Sequence, residues 1–354
     1  MRGVDPEAAY RTMKTLTSVW EVASERMLGV VARRLARGVT EPGWAESKSR
    51  EVLLVRAELQ AVVARYLADG MEAEAQAALD AAYGIGERVA EQLGEVAATT
   101  NPDRVTALVT RFVGQLQGTV VPVIRAHEDV YQRAIQDSES LMATGTIVRR
   151  EAVAQAVADL VQAGEERFVD RSGRRWHLDA YVRMAGRTAA AQSAVEGQLD
   201  GLVARGRDLV VISDSPRECR KCQPWEGKLL SITGGTAIGS EVDGHRVAGT
   251  VEEAREGGLW HPNCTHRADV FTPGFTRVPV ARENPEGYRE QQRLRKYERE
   301  LRDLKRGLSA VEELGDTQVG RAYRREIRAH TARLAAYAEA TGQLRRRERE
   351  RPVG

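Results

Sequence analysis

At 354 residues the chain is long enough for one large domain or two to three of ordinary size, each able to bury a core. Apolar residues make up 42% of it but aromatics only 5%, a balance that favours helices with alanine-rich contacts over an aromatic sandwich core. The net charge of +2, the three cysteines and the lack of any stretch of about 18 uncharged apolar residues argue against a uniformly basic protein, a disulfide framework and a membrane span.

The start, with Arg2, Asp5 and Glu7, lacks an apolar signal-peptide core, so an intracellular protein is expected. The first 140 residues read as successive amphipathic helices. Val52, Val55, Leu59, Val62 and Tyr66 recur at steps of three and four, as do Val105, Leu108, Phe112, Val113 and Leu116. Breaks are expected at Gly38–Gly43, around Gly70 and at Thr99–Asp103, where Pro102 suits an early helical position. Two more helices are predicted over 147–169 and 177–205, with Asp170–Arg174 as a polar, glycine-bearing turn between them.

After Gly206 the pattern changes. Asp208-Leu209-Val210-Val211-Ile212-Ser213 is a short apolar β-branched run that suits a buried strand. Glycines are dense from 207 to about 276, helical periodicity fades, and short strands are predicted at Lys228–Ile232 and Arg267–Phe271. A short helix is expected at Val251–Glu256, stopped by Gly257-Gly258. Beyond residue 287, Leu294, Tyr297, Leu301, Leu304, Leu308 and Val311 form one coiled-coil-like seam. Tyr323, Ile327, His330, Leu334, Tyr337 and Leu344 form a second beyond Gly315-Asp316, which together predict an antiparallel helical hairpin. The expected protein is therefore mainly α. It has a multi-helix body (1–206), a small α+β Cys/His module (207–280) and a basic helical hairpin (281–354).

All three cysteines and three of the six histidines fall in the central module, with His261 and His266 flanking Cys264. Cys219-Arg220-Lys221-Cys222 is a C-x-x-C pair, and His261-Pro262-Asn263-Cys264-Thr265-His266 supplies H-x-x-C-x-H. Two residues between thiols let one turn aim both at one ion, and a structural zinc takes four such sulfur or nitrogen donors. Cys219, Cys222 and Cys264 with either His261 or His266 would make a closed Cys3His site. The competing reading is that the thiols pack as small apolar groups and the imidazoles bond nearby backbone. A redox pair lacks the βαβ context it needs. A nuclease built on Asp243, His245, Arg246 and His261 has no defensible spacing, and a thiol hydrolase using Cys264 beside His266 rests on adjacency alone. Gly234–Gly239 is glycine-rich but opens no helix, which weakens it as a phosphate loop. No enzyme and no small-molecule substrate are expected.

Residues 286–354 hold 18 Lys/Arg against 12 Asp/Glu, so the C-terminal end is basic and the rest of the chain is mildly acidic. Arg345, Arg346, Arg347 and Arg349, with Arg351, are candidate nucleic-acid contacts, since clustered guanidinium groups release counterions from phosphates; a solvated helix end is the plainer reading.

The runs Cys222-Gln223-Pro224-Trp225-Glu226-Gly227-Lys228, Ser231-Ile232-Thr233-Gly234 and His261–His266 resemble phage minor capsid proteins of the minor capsid protein 2 type. Tyr181–Thr188, preceded by Gly173-Arg174-Arg175-Trp176, and the Gln291–Arg306 helix agree, so the likeness covers residues 120–350. The chain is similar, more distantly, to the C-terminal module of Mu-F-like head proteins. The resemblance implies a noncatalytic virion protein, made in the bacterial host cytoplasm and sited in the capsid interior or at the portal vertex. It further implies portal or capsid subunits as partners and a role in head assembly or genome ejection. A head-associated hydrolase or nuclease using the Cys/His module, and a DNA-binding virion protein using the basic tail, are the alternatives. Cys219, Cys222, His261 and Cys264 map onto the Cys/His positions of such modules, and His266 stands where relatives carry a second cysteine. Trp176, Arg187, Trp225 and Gly227 match motif positions and are read as packing and turn residues, with Arg187 expected to pair with an acidic group of the module in preference to binding phosphate.

Overall fold

The computed structural model describes residues 2–66, 70–94, 101–215, 220–280, 284–315 and 317–351, and the side chain of Tyr66 is outside that description. Helices α1 (Pro6–Ala36), α2 (Trp44–Arg50), α3 (Val52–Tyr66), α4 (Met71–Glu91), α5 (Pro102–Gln117), α6 (Val120–Met142) and α7 (Arg149–Ala163) come first. A hairpin of β1 (Phe168–Val169) and β2 (Arg175–Trp176) leads into α8 (Leu178–Ala204). The central module holds β3 (Leu209–Ile212), β4 (Leu229–Ser231), β5 (Glu241–Val242), β6 (His245–Thr250), α9 (Val251–Glu256) and β7 (Ala268–Val270), and α10 (Pro285–Glu312) and α11 (Gln318–Ala340) follow. The mainly α architecture with one small sheet region is thus as the composition and periodicity predict.

Two compact units are built from interleaved segments. The first takes residues 1–17, 69–115 and 183–289, and the second takes 18–68, 116–182 and 290–354. The division 1–206, 207–280 and 281–354 follows composition along the chain, whereas compactness groups segments far apart in sequence.

In the first unit, α4 and α8 approach so closely that only glycine fits at the crossing. A Cβ on Gly86 would lie 1.9 Å from the Ala194 carbonyl oxygen, and one on Gly197 would lie 2.1 Å from that of Tyr83. Ser193 and Tyr83 tie the pair, donating to the Leu79 carbonyl at 2.7 Å and to the Asp200 carboxylate at 2.7 Å. The far end of α8 then covers one face of a five-stranded sheet ordered β5-β6-β4-β3-β7. Alternation along β3 sends Val210 and Ile212 into the core under α8, and Val211 to the opposite face with Leu229, Val247 and Phe271. The β5–β6 hairpin had no clear sequence signal, because Asp243-Gly244 joins strands that are mostly polar or small.

The second unit is helical. Within it α6 packs against α7, α3 and α2, and α11 packs against α7. Trp44 donates to the Leu35 carbonyl at 3.1 Å and Tyr131 to that of Lys48 at 3.0 Å, so both large rings are buried with their polar ends satisfied. α10 and α11 form the expected antiparallel pair, sharing a core of Leu294, Leu301, Leu334 and Ala338. At one end Tyr337 reaches the Glu290 carbonyl at 3.3 Å, and at the other the Tyr323 ring lies where a Cβ on Gly307 would be.

Three expectations need correction. The helix predicted over 147–169 stops at Ala163, because Gly164 takes a left-handed φ of 69° and caps it. The polar turn at 170–174 is present but joins the strands of the β1–β2 hairpin and not two helices, and it is held by Asp170, whose carboxylate accepts from the backbone of Ser172 and Arg174 and from the Trp176 indole. Leu344 is not a seam residue: it lies beyond α11 and is 77% exposed. The helix ends at Thr341-Gly342, two residues too early to carry Leu344 back to α10. Of the expected breaks, Thr99, Thr100 and Asp316 lie outside the described residues.

By length and apolarity alone the stretch Pro102–Met142 could cross a membrane, although 44% of its most apolar window is buried within the protein. Along α5 the buried residues Val105, Val109, Phe112 and Leu116 recur at helical spacing, the signature of a helix packed along one face.

Candidate metal centre

The ladder around β3 brings together the two donor-bearing stretches of the sequence. On one side Gly227 donates to the Ile212 carbonyl at 2.9 Å, and Ile212 to that of Lys228 at 3.1 Å. On the other side Ser213 donates to the Arg267 carbonyl at 3.0 Å. The chain just before β4, carrying Cys222, and the chain just before β7, carrying Cys264 and His266, therefore meet at one end of β3.

Local turns then aim the side chains. A 3-10 turn over Gln223–Trp225, closed by the Trp225 amide on the Cys222 carbonyl at 2.9 Å, turns Cys222 into the core. Trp225 seals it from the side, under Gly249 and Gly257, where a Cβ on Gly257 would lie 3.0 Å from the indole. Gly227 follows with φ 66°, a turn that a side chain would strain. In the second stretch Trp260 and Asn263 adopt φ of 56° and 64°, and the Cys264 amide donates to the His261 carbonyl at 2.9 Å. Two left-handed residues three apart are costly, and the Trp260 indole secures the bend by donating to the His266 carbonyl at 3.1 Å.

The result is a three-donor cluster, Cys222, Cys264 and His266, with all donor atoms within 4.8 Å of one another. The Sγ atoms of Cys222 and Cys264 are 3.6 Å apart, and Cys264 Sγ is 3.4 Å from His266 Nδ1. On its other side, His266 Nε2 meets the Glu226 carboxylate in a short hydrogen bond between two buried groups. The hydrogen bond with Cys222 lowers the Cys264 thiol, against burial and with help from His266. Burial works to lower His266, but Cys264 and Glu226 outweigh it and raise the imidazole above its ordinary value. The cluster thus favours anionic sulfur beside a hydrogen-bonded imidazole.

The expected donors separate cleanly. Cys222, Cys264 and His266 are gathered, and Cys219 lies outside the described residues. His261 does not join the three, and its Nδ1 lies 2.8 Å from the Pro262 carbonyl oxygen. Glu226 is the functional residue that sequence reasoning missed. Its place next to Trp225 in the Cys-Gln-Pro-Trp-Glu-Gly run was the available hint, but no spacing rule links it to His266 forty residues on.

The remaining candidates have local partners. Arg187 stacks over Tyr10 at 4.6 Å and lies 3.5 Å from Glu7, so its acidic partner belongs to α1 and not to the module. Trp176 sits edge-on to Tyr181 at 5.7 Å. Asp243 accepts from the Gly274 amide at 2.6 Å and His245 faces the edge of Phe271 at 6.0 Å, each bracing a turn. In the glycine-rich loop, the amides of Thr233 and Thr236 both point at the Asp208 carboxylate at 2.8 Å, so the anion this loop cradles is the protein's own. Burial would raise the Asp208 carboxyl, but Ser231, Thr233 and Thr236 hold it well below the usual range. Of the arginine run, Arg345 is paired to Glu350 through two hydrogen bonds of 2.5 and 2.7 Å, while Arg347 is exposed.

A family model described as phage minor capsid protein 2 matches residues 4–339. A protein named "Structural protein" from Lactococcus phage LL-H is 24% identical over 216 residues, 58% of this chain and 56% of that protein. The chain therefore spans a little over half the length of that relative. No solved structure matches.

Proposed function

The chain belongs to the phage minor capsid protein 2 family, and from that premise we propose that it is a structural component of the virion, sited at the portal or on the inner capsid, where it acts in head assembly or genome ejection. The single observation that carries this reading is the extent of the match, residues 4–339, which takes in segments of both compact units and not the Cys/His module alone. The likeness to a relative named as a structural protein of a lactococcal phage supports it. So does the physical character of the chain. Its arginine and glutamate side chains engage one another widely, for example Arg104 with Glu196, Arg255 with Glu196 and Arg33 with Glu313, and such charge-rich surfaces suit steered, wet assembly contacts. In this reading portal and capsid subunits are the principal partners. Packaged DNA is a secondary one, met by Arg346, Arg347 and Arg349.

Depletion tests the role. In a phage carrying an early stop codon in this gene, heads should assemble in reduced number, or fill with DNA and fail to deliver it. Normal yields of infectious particles lacking the chain would overturn the proposal. The DNA contact has its own signature: binding to any duplex that weakens steeply with salt, and an Arg346/Arg347/Arg349 triple alanine variant with a salt slope smaller by about 3.

A further inference from the structure

We propose that Cys222, Cys264 and His266 hold a zinc ion, His266 through Nδ1, with Glu226 as the buried carboxylate that orients the imidazole from its other nitrogen. This goes beyond the virion reading and stands or falls separately from it.

The distances fit. Zinc bonded to sulfur at about 2.3 Å and to nitrogen at about 2.0 Å in a tetrahedron spaces its sulfurs about 3.8 Å apart and sulfur from nitrogen about 3.5 Å. The observed separations are 3.6 Å between the two sulfurs and 3.4 Å between Cys264 Sγ and His266 Nδ1. Soft sulfur with imidazole selects zinc over calcium or magnesium, which take oxygen ligands. The outer contact fits as well: a metal-bound histidine characteristically gives its second N–H to a carboxylate, which fixes the tautomer and leaves the other nitrogen free to bind. Glu226, 1% exposed in its side chain, occupies that place against His266 Nε2.

The location explains what the ion would do. Cys222 and Cys264 are 42 residues apart, on the two chain stretches that flank β3. The sheet here is made of strands two to six residues long, with a register shift between β4 and β6 at Leu229/Leu230. An ion tying the entries to β4 and β7 would clamp both neighbours of β3, and its binding energy would add to the stability of the module. A thiol hydrolase would use the same Cys264–His266–Glu226 row, but it has no use for a second, fully buried thiol 3.6 Å from its nucleophile.

The full-length chain, produced with zinc in the medium and dialysed, should carry about one zinc per molecule by elemental analysis. Cobalt loaded in its place should show thiolate-to-cobalt charge-transfer absorption and the intense visible bands of a tetrahedral site. Cys264→Ser and His266→Ala should lose the metal. Glu226→Gln should remain folded by circular dichroism and bind roughly tenfold to a hundredfold more weakly. His261→Ala should keep both metal and spectrum. The proposal is overturned by folded protein that takes up neither zinc nor cobalt, by a disulfide between Cys222 and Cys264 in chain purified under reducing conditions, or by a metal that survives His266→Ala and leaves with His261→Ala.

Discussion

The two compact units both bury polar groups, and they resolve the cost of doing so in different ways. In the first, a small set of soft donors, two thiols and an imidazole backed by Glu226, is drawn together at the end of β3. In the second, a larger set of hard charges neutralises itself. Arg306, 4% exposed in its side chain, lies 2.7 Å from Asp179, 3.1 Å from Glu25 and 3.4 Å from Asp303. His177 and Arg167 lie against Asp303 at 2.9 and 2.8 Å, and Glu166 is 3.3 Å from His177 Nδ1. A charge network needs long helices to deliver its members from α1, α8 and α10. A sheet of very short strands has no such reach and gains more from one ion that clamps two of its entries.

That contrast can be broken most severely at Arg306. Arg306→Leu should lower stability by about 3–5 kcal/mol in urea denaturation, because Asp179, Glu25 and Asp303 would be left buried without their counterion. A loss below about 1 kcal/mol would mean that the network does not hold the helices together.

Next in size is the pH dependence. Burial pushes Glu166 up to about 7 from an ordinary 4.5, so the folded state holds a proton that the unfolded chain releases. Its contribution is complete below pH 4.5 and is lost as pH rises to 7. Burial also holds His127 down to about 4, despite its hydrogen bond to the Val123 carbonyl, and its contribution runs the other way, present above pH 6.5 and lost as pH falls toward 4. Urea midpoints measured across this range should therefore peak inside it. Glu166→Gln should remove the alkaline decline, on the order of 1 kcal/mol per pH unit, and leave the acid side. An unchanged profile would contradict the burial assignment.

In the first unit, Gly86→Ala should cost on the order of 1–3 kcal/mol, since its methyl has nowhere to go against the Ala194 carbonyl. Gly114→Ala, on α5 with open space around it, should be neutral or slightly stabilising. The smallest effect is expected at the capping box of α9. Thr250→Ala removes the acceptor for the Glu253 amide and should cost about 1 kcal/mol by thermal denaturation.

The parts of this organisation that were legible in the sequence are those set by local rules. The Val251–Glu256 helix, the β3 run and the α10–α11 seam all follow from spacing and end signals within a dozen residues. The donors Cys222, Cys264 and His266 were legible because thiols and imidazoles are scarce in this chain and crowd into one stretch. Glu226 and Arg306 were not, because glutamate and arginine are abundant and most of them face solvent. Their roles arise only when strands or helices distant in sequence converge. The interleaving of the two units escaped detection for the same reason. Leu344 shows the reverse failure, a residue in register with a seam whose helix has already ended.

The most direct test of the account as a whole is quantitative mass spectrometry of gradient-purified, DNA-filled particles of the parent phage. The chain should be present at a small, constant ratio to the major shell protein and should remain after high-salt washing; its absence from filled particles would contradict a structural role in the virion.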